Sequence, residues 1–210
     1  MFIQHSQKTT YEKVVDYLWV TLIFLGVSVA TLFIGTGAAL SAAFITVYKM
    51  QTDIVEESIL NTFKKQLKLT FIPSVLTFIG IMVIFGGGLY ITLTIIPDDY
   101  PLRLVLLILV LVYGALFLQY AFPIVSVFKH SGPIHLIKNT LLLMHLHPIT
   151  SFLLLMNALT FYVMVFILHP ILIYLAFMFV FYMQGKIFQP ILKIYVKRIA
   201  EKEDKAPIIE

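Results

Sequence analysis

From Tyr17 to Tyr48 the chain carries no charged side chain, an interval of 32 residues. As one straight helix this run would be about 48 Å long, against a hydrocarbon core of about 30 Å. It must bend or turn. Gly35-Thr36-Gly37 marks the place, because two glycines accept backbone dihedrals that other residues resist. The pattern predicts one span over 14–34 and a second, shorter span over 38–53, with a single kinked helix as the alternative. Ala38, Ala39, Ser41, Ala42 and Ala43 give the second span a small-residue surface suited to close helix packing.

Charge returns between Asp53 and Pro73. Asp53 followed by Glu56 has the form of a capping box. Val55, Ile59, Phe63, Leu67 and Phe71 recur every four residues as an apolar stripe, while Glu56, Glu57, Asn61, Lys64, Lys65 and Lys68 fall largely elsewhere on the helix. Acids lie early and lysines late, as the helix dipole favours. This stretch, about 53–69, predicts a helix on the membrane surface with lysines near anionic headgroups. A second such helix is predicted over 132–147, with Ile134, Ile137, Leu141 and Met144 on one side and His135, Lys138 and Asn139 on the other. Apolar runs predict four further spans, over 70–96, 104–128, 149–168 and 171–187, before a basic tail over 188–210. Gly86-Gly87-Gly88 is expected to loosen or kink the first of them.

The reading is therefore all-α: a single transmembrane domain over 1–210, a helix bundle of about six spans with five as the alternative, and two cytoplasmic amphipathic helices. Composition agrees, with 60% hydrophobic and 12% charged residues where a soluble domain would have about a quarter charged. The first apolar run is longer than a signal-peptide core and follows Asp16, so the N-terminus reads as a polar lead-in. With six spans, 14 of the 15 lysines and arginines fall on one side and Arg103 alone on the other. By the positive-inside rule that side is cytoplasmic, with both termini. Five spans would move Lys8 and Lys13 outside. Ile45 to Lys49 and Val125 to Lys129 end their spans alike, and each precedes an amphipathic helix that runs to a proline, Pro73 or Pro148. This is a weak parallel repeat.

Little points to catalysis. There is no cysteine, which excludes disulfides and thiolate chemistry. All eleven acids lie in predicted loops, termini or span ends, so a proton-carrying intramembrane carboxylate is not evident. His130, His135, His145 and His147 cluster in sequence, but His145 and His147 would diverge on a helix, and interfacial histidines are the expected reading. Gln119, Asn157 and Gln184, the polar residues deepest in apolar runs, are expected to hydrogen-bond between helices. No catalytic residue, metal ligand or cofactor-binding residue is assigned, no cofactor is expected, and nucleic acid is not an expected partner.

Three segments resemble the YesL-like family of bacterial integral membrane proteins. Thr31 to Lys49 is similar to the family's early segment of turn, small residues and aliphatic-aromatic run closed by a base. Asn61 to Phe71 is similar to its Phe-Lys-rich cytoplasmic segment, and Tyr120 to Leu143 to its aromatic-Pro and Lys-Asn block, here Phe122-Pro123 and Lys138-Asn139. Ala38 stands where the family often has proline, and Trp19 is the only tryptophan. The family is a domain of unknown function, often encoded beside carbohydrate-uptake transporters, especially for complex glycans. The resemblance implies a non-enzymatic accessory or scaffold subunit of carbohydrate ABC transport in the bacterial plasma membrane. Its expected partners are the lipid bilayer and ABC permease subunits or their ATPase. The expected partner-binding residues are Glu56, Phe63, Lys64, Lys65, Lys68, His135, Lys138 and Asn139. The alternatives are a permease subunit itself, for which Glu56-Glu57-Ser58 followed by Ile72-Pro73 faintly resembles a coupling helix, and a membrane signalling protein.

Overall fold

The computed structural model describes residues 10–52, 58–98, 100–127, 133–167 and 173–203, and these are helical almost throughout. The helices are α1 (Thr10–Ala30), α2 (Thr36–Gln51), α3 (Ile59–Ile95), α4 (Arg103–Val127), α5 (Pro133–Leu146), α6 (Pro148–Ile167) and α7 (Ile173–Glu203). Five of them, α1, α3, α4, α6 and α7, are long and apolar enough to cross a membrane. With 16 residues, α2 reaches only about 24 Å at 1.5 Å per residue.

Too short for a span, α2 is nonetheless buried along most of its length. Every residue of α2 from Gly37 to Val47 is buried except Leu40, which is half-buried. Ala38, Ala39, Ala42 and Ala43 bring α1, α3, α4 and α7 close around it, the small-residue packing that its composition predicts. Gly37 has the closest approach: a Cβ there would lie 2.6 Å from the Ser74 carbonyl oxygen of α3. One turn on, the Ser41 and Ser74 hydroxyls meet at 2.8 Å. With Gly37 also against Phe78 and Ser41 against Ser74, the two helices run antiparallel here.

The turn into α2 falls where predicted, but not by the predicted means. The left-handed residues are Leu32 and Phe33, with φ of 50° and 65°, whereas Gly35 has φ −80°. A Cβ on Gly35 would sit 2.6 Å from the Thr31 hydroxyl. Both glycines therefore serve close approach and not backbone freedom.

From Ile59 to Ile95 the expected surface helix and the expected span over 70–96 form one rod. α3 begins at Ile59 behind Ser58, whose hydroxyl accepts from the Asn61 N–H at 3.4 Å. Asp53 and Glu56, the expected cap, lie outside the described residues. Pro73 sits inside the rod instead of opening a new helix, and Pro123 and Pro190 are likewise interior to α4 and α7. The four-residue stripe holds only over its first part. Four residues turn a helix by about 400°, so a strict spacing of four drifts about 40° each step. By Phe71 the drift has carried the side chain to the exposed side, and Thr70, Ser74, Thr77 and Ile81 take the buried face. The rod widens to π geometry at Met82–Gly86 and again at Ile91–Ile95, on both sides of the glycine triplet's single α-turn.

Beyond Phe78 the rod is accompanied mainly by α4, through Phe85 against Phe117 and Gly88 against Val110. Arg103 closes this hairpin. It donates from Nε to the Thr92 carbonyl and from Nη2 to the Leu93 carbonyl, and pairs with Asp98. At the opposite end α5 packs on α4 and α6, with Leu136, Leu143 and Met144 in the main core. Pro148 opens α6 as predicted. Having no N–H, it leaves the Met144 carbonyl without its helical donor, and the Ser151 hydroxyl supplies one at 2.7 Å. Tyr120 completes the joint at 2.9 Å from the same hydroxyl. Over the described residues the last predicted span and its basic tail are one helix too: α7 runs from Ile173 to Glu203, with Phe188, Ile191 and Leu192 buried.

Candidate functional site

Two groupings of polar side chains on the folded helices are candidates for a site. The first is a basic face. On α3, Asn61, Lys64, Lys65 and Lys68 are exposed along one stripe, opposite the buried Phe63, Thr70 and Ser74. On α5, His135, Lys138 and Asn139 are exposed with the spacing of Asn61, Lys64 and Lys65, three residues and then one, opposite the buried Leu136 and Thr140. The two helices touch. Of the residues expected to bind a partner, six thus stand on exposed helix faces. Phe63 does not: it is 1% exposed and packs with Val20, Ala43 and Val47, so it anchors α3 to the bundle and its inclusion is corrected. Glu56 lies outside the described residues. Ile72 and Pro73, the end of the faint coupling-helix pattern, are exposed midway along an unbroken helix, where a coupling helix would have to end.

The second region is an amide cluster inside the bundle. Gln119 of α4 donates to the Leu154 carbonyl of α6 at 3.2 Å and accepts from Asn157 at 3.4 Å. Asn157 also reaches the Val180 carbonyl of α7, and Gln184 donates to the Gln119 carbonyl at 2.7 Å. Three helices are tied by side chains that would be costly to leave unpaired in a hydrocarbon interior. The interhelical role expected of these residues is the one they fill. Gln119 and Gln184 also line a cavity of about 180 Å³, whose other walls are apolar apart from Tyr162, among them Leu40, Phe122, Phe161 and Phe177. The Asn157 Oδ1 beside it is buried without a hydrogen-bond partner. Tyr162 is the one titratable residue on its wall, and no carboxylate, histidine, lysine or arginine lines it, so it offers shape and a few dipoles but no charged group.

The described histidines part company. His135 is exposed, His145 lies 3.5 Å from the Tyr113 hydroxyl, and His147 packs edge-on to Tyr195 of α7. His130 lies outside the described residues. Sequence reading missed the Ser151–Tyr120–Met144 joint and the Arg103 closure. A serine three residues after a proline, and one basic residue beside two acids at a span start, were the available signals.

The chain matches no family model, no curated protein and no solved structure. What stands is coarser than a family. With five helices of spanning length and an exterior crowded with Leu, Ile, Val and Phe, it is an α-helical integral membrane protein in contact with the lipid bilayer.

Proposed function

We propose that this protein is a non-enzymatic subunit of a bacterial plasma-membrane assembly, binding its partner through the basic face of α3 and α5 on the cytoplasmic side. The observation that carries this reading is the paired exposure of Lys64, Lys65 and Lys68 on one helix and His135, Lys138 and Asn139 on another that touches it. Such a face is built by helices whose other sides are fixed in the core, so it is rigid before any partner arrives. The cytoplasmic assignment rests on the lysine asymmetry of the sequence.

The YesL-like resemblance supplies the class of assembly: a carbohydrate ABC importer, with this chain as accessory or scaffold and the permease subunits or ATPase as partners. A cavity wall without carboxylate or histidine supports a supporting role over a proton-driven one. The test is purification of the chain at native abundance from its own membranes under mild detergent, followed by identification of the proteins retained. Recovery of ABC permease or ATPase subunits is expected. Recovery of the chain alone sinks the assembly reading, and recovery with a different membrane complex sinks the transport assignment.

A further inference from the structure

We infer that the α1–α2 hairpin enters the bilayer and returns without crossing it, so that Leu32, Phe33 and Ile34 form a contact surface for acyl chains at the middle of the membrane. Four observations converge on this tip. It borders one open cleft with Phe78, Met82 and Val83 of α3, which places it level with that part of the rod. Val83 is the midpoint of the uncharged run from Leu69 to Pro97, with 14 residues, about 21 Å of helix, on either side. A hairpin that crossed with α3 would bring its tip near Pro97; this one stops halfway.

The tip's side chains are wrong for water. Leu32, Phe33 and Ile34 are 81%, 65% and 60% exposed, three consecutive large apolar residues at a turn, with no charge nearer than Asp16 or Lys49. Turns at an aqueous surface favour Gly, Pro, Asn, Asp and Ser. The tip's backbone, in contrast, is right for lipid. The N–H groups of Thr31, Leu32 and Phe33 donate to carbonyls in the last turn of α1, those of Ile34 and Thr36 donate to carbonyls within the turn, and the Gly35 N–H donates to the Thr31 hydroxyl at 3.0 Å. The Thr31 hydroxyl in turn donates to the Val27 carbonyl. No N–H from 31 to 36 needs water, so the donor half of the turn's backbone meets what membrane depth requires. Finally, α2 is too short to cross by itself.

Four complete crossings follow, by α3, α4, α6 and α7. An even number leaves the chain's two ends, and the same 14 basic residues, on one side. The five-or-six ambiguity of the hydropathy pattern then reflects one hairpin that half-enters.

Because the chain has no cysteine, single cysteines report position without background. In sealed membrane vesicles, a membrane-impermeant maleimide should label Tyr100→Cys from one side and Lys64→Cys from the other. Leu32→Cys and Ile34→Cys should stay unlabelled from both sides until SDS is added. Labelling of Leu32→Cys from the Tyr100 side, at a comparable rate, overturns the inference in favour of a crossing hairpin; labelling from the Lys64 side overturns it in favour of a surface hairpin. A second measurement does not depend on thiol reactivity. In a Trp19→Phe background, Phe33→Trp should lose more fluorescence to lipids brominated deep in the acyl chain than to lipids brominated near the headgroup. The reverse order overturns the inference.

Discussion

Gly37 and Gly86 have the same side chain and opposite tolerance. A Cβ at Gly37 would stand 2.6 Å from the Ser74 carbonyl oxygen, a backbone atom that cannot swing away, and 2.7 Å from the Phe78 Cβ. Gly37→Ala must push α2 off α3 and should cost about 1–3 kcal/mol, the range of overpacked cores, read as a lower Tm in detergent. A Cβ at Gly86 meets nothing within 4 Å. Gly86→Ala should be neutral or raise stability by about 0.5–1 kcal/mol, through helix propensity alone. Ser151→Ala should cost about 1–3 kcal/mol, because the Met144 carbonyl and the Tyr120 hydroxyl both lose their partner. Ser151→Thr, which keeps the hydroxyl, should recover most of it. The sequence marks Gly35 and Gly37 as special but not why. The reason for Gly37 lies at Ser74, far along the chain, and no local pattern joins them. Gln119, Asn157 and Gln184 were easier, since an amide in an apolar run has few places to go but a neighbouring helix.

The helices themselves were legible from the hydropathy pattern, and their ends less so. Charge and proline suggest a break between a surface helix and a span at Pro73, and another between the last span and the tail. In both places the helix runs on. Proline costs one hydrogen bond and some bending, and packing on both sides holds α3 together through Pro73. At Pro148 the helix does change, and there the neighbouring joint through Ser151 takes up the freed carbonyl. The far end of α3 depends on Arg103 in a similar way. Its guanidinium donates to the carbonyls of Thr92 and Leu93, which lie in the final π-turn. Arg103→Ala should release that turn. Losing hydrogen bonds from a charged donor, at about 1.5–3 kcal/mol each, should speed amide exchange over Ile91–Ile96 by roughly tenfold or more in a membrane mimetic. Arg103→Lys should restore only part of the protection, since an ammonium lacks the planar fork that serves two carbonyls at once. Unchanged exchange in Arg103→Ala would show that the α3–α4 contact alone holds the end.

At the scale of the whole molecule, one distribution of charge serves two purposes, orientation and recognition, and a triple substitution can separate them. Lys64→Glu, Lys65→Glu and Lys138→Glu together remove three of the 14 basic residues on one side, leaving 11, while the acids added contribute little to orientation. The bundle should fold, because all three side chains are exposed while Phe63, Leu136 and Leu143 keep their places in the core. Orientation should therefore persist, with Tyr100→Cys labelled from its original side. A partner that reads the basic face would meet a field of opposite sign and should be lost from the purified complex by at least about tenfold, since like-charge juxtaposition at an interface costs several kcal/mol. If the partner is retained at full yield while orientation also holds, the lysines are a seat on anionic headgroups and the partner docks elsewhere. Vesicles then decide the remaining case: the wild-type chain should show no preference for anionic over neutral lipid if the face is reserved for protein, and a salt-sensitive preference if lipid is what it meets.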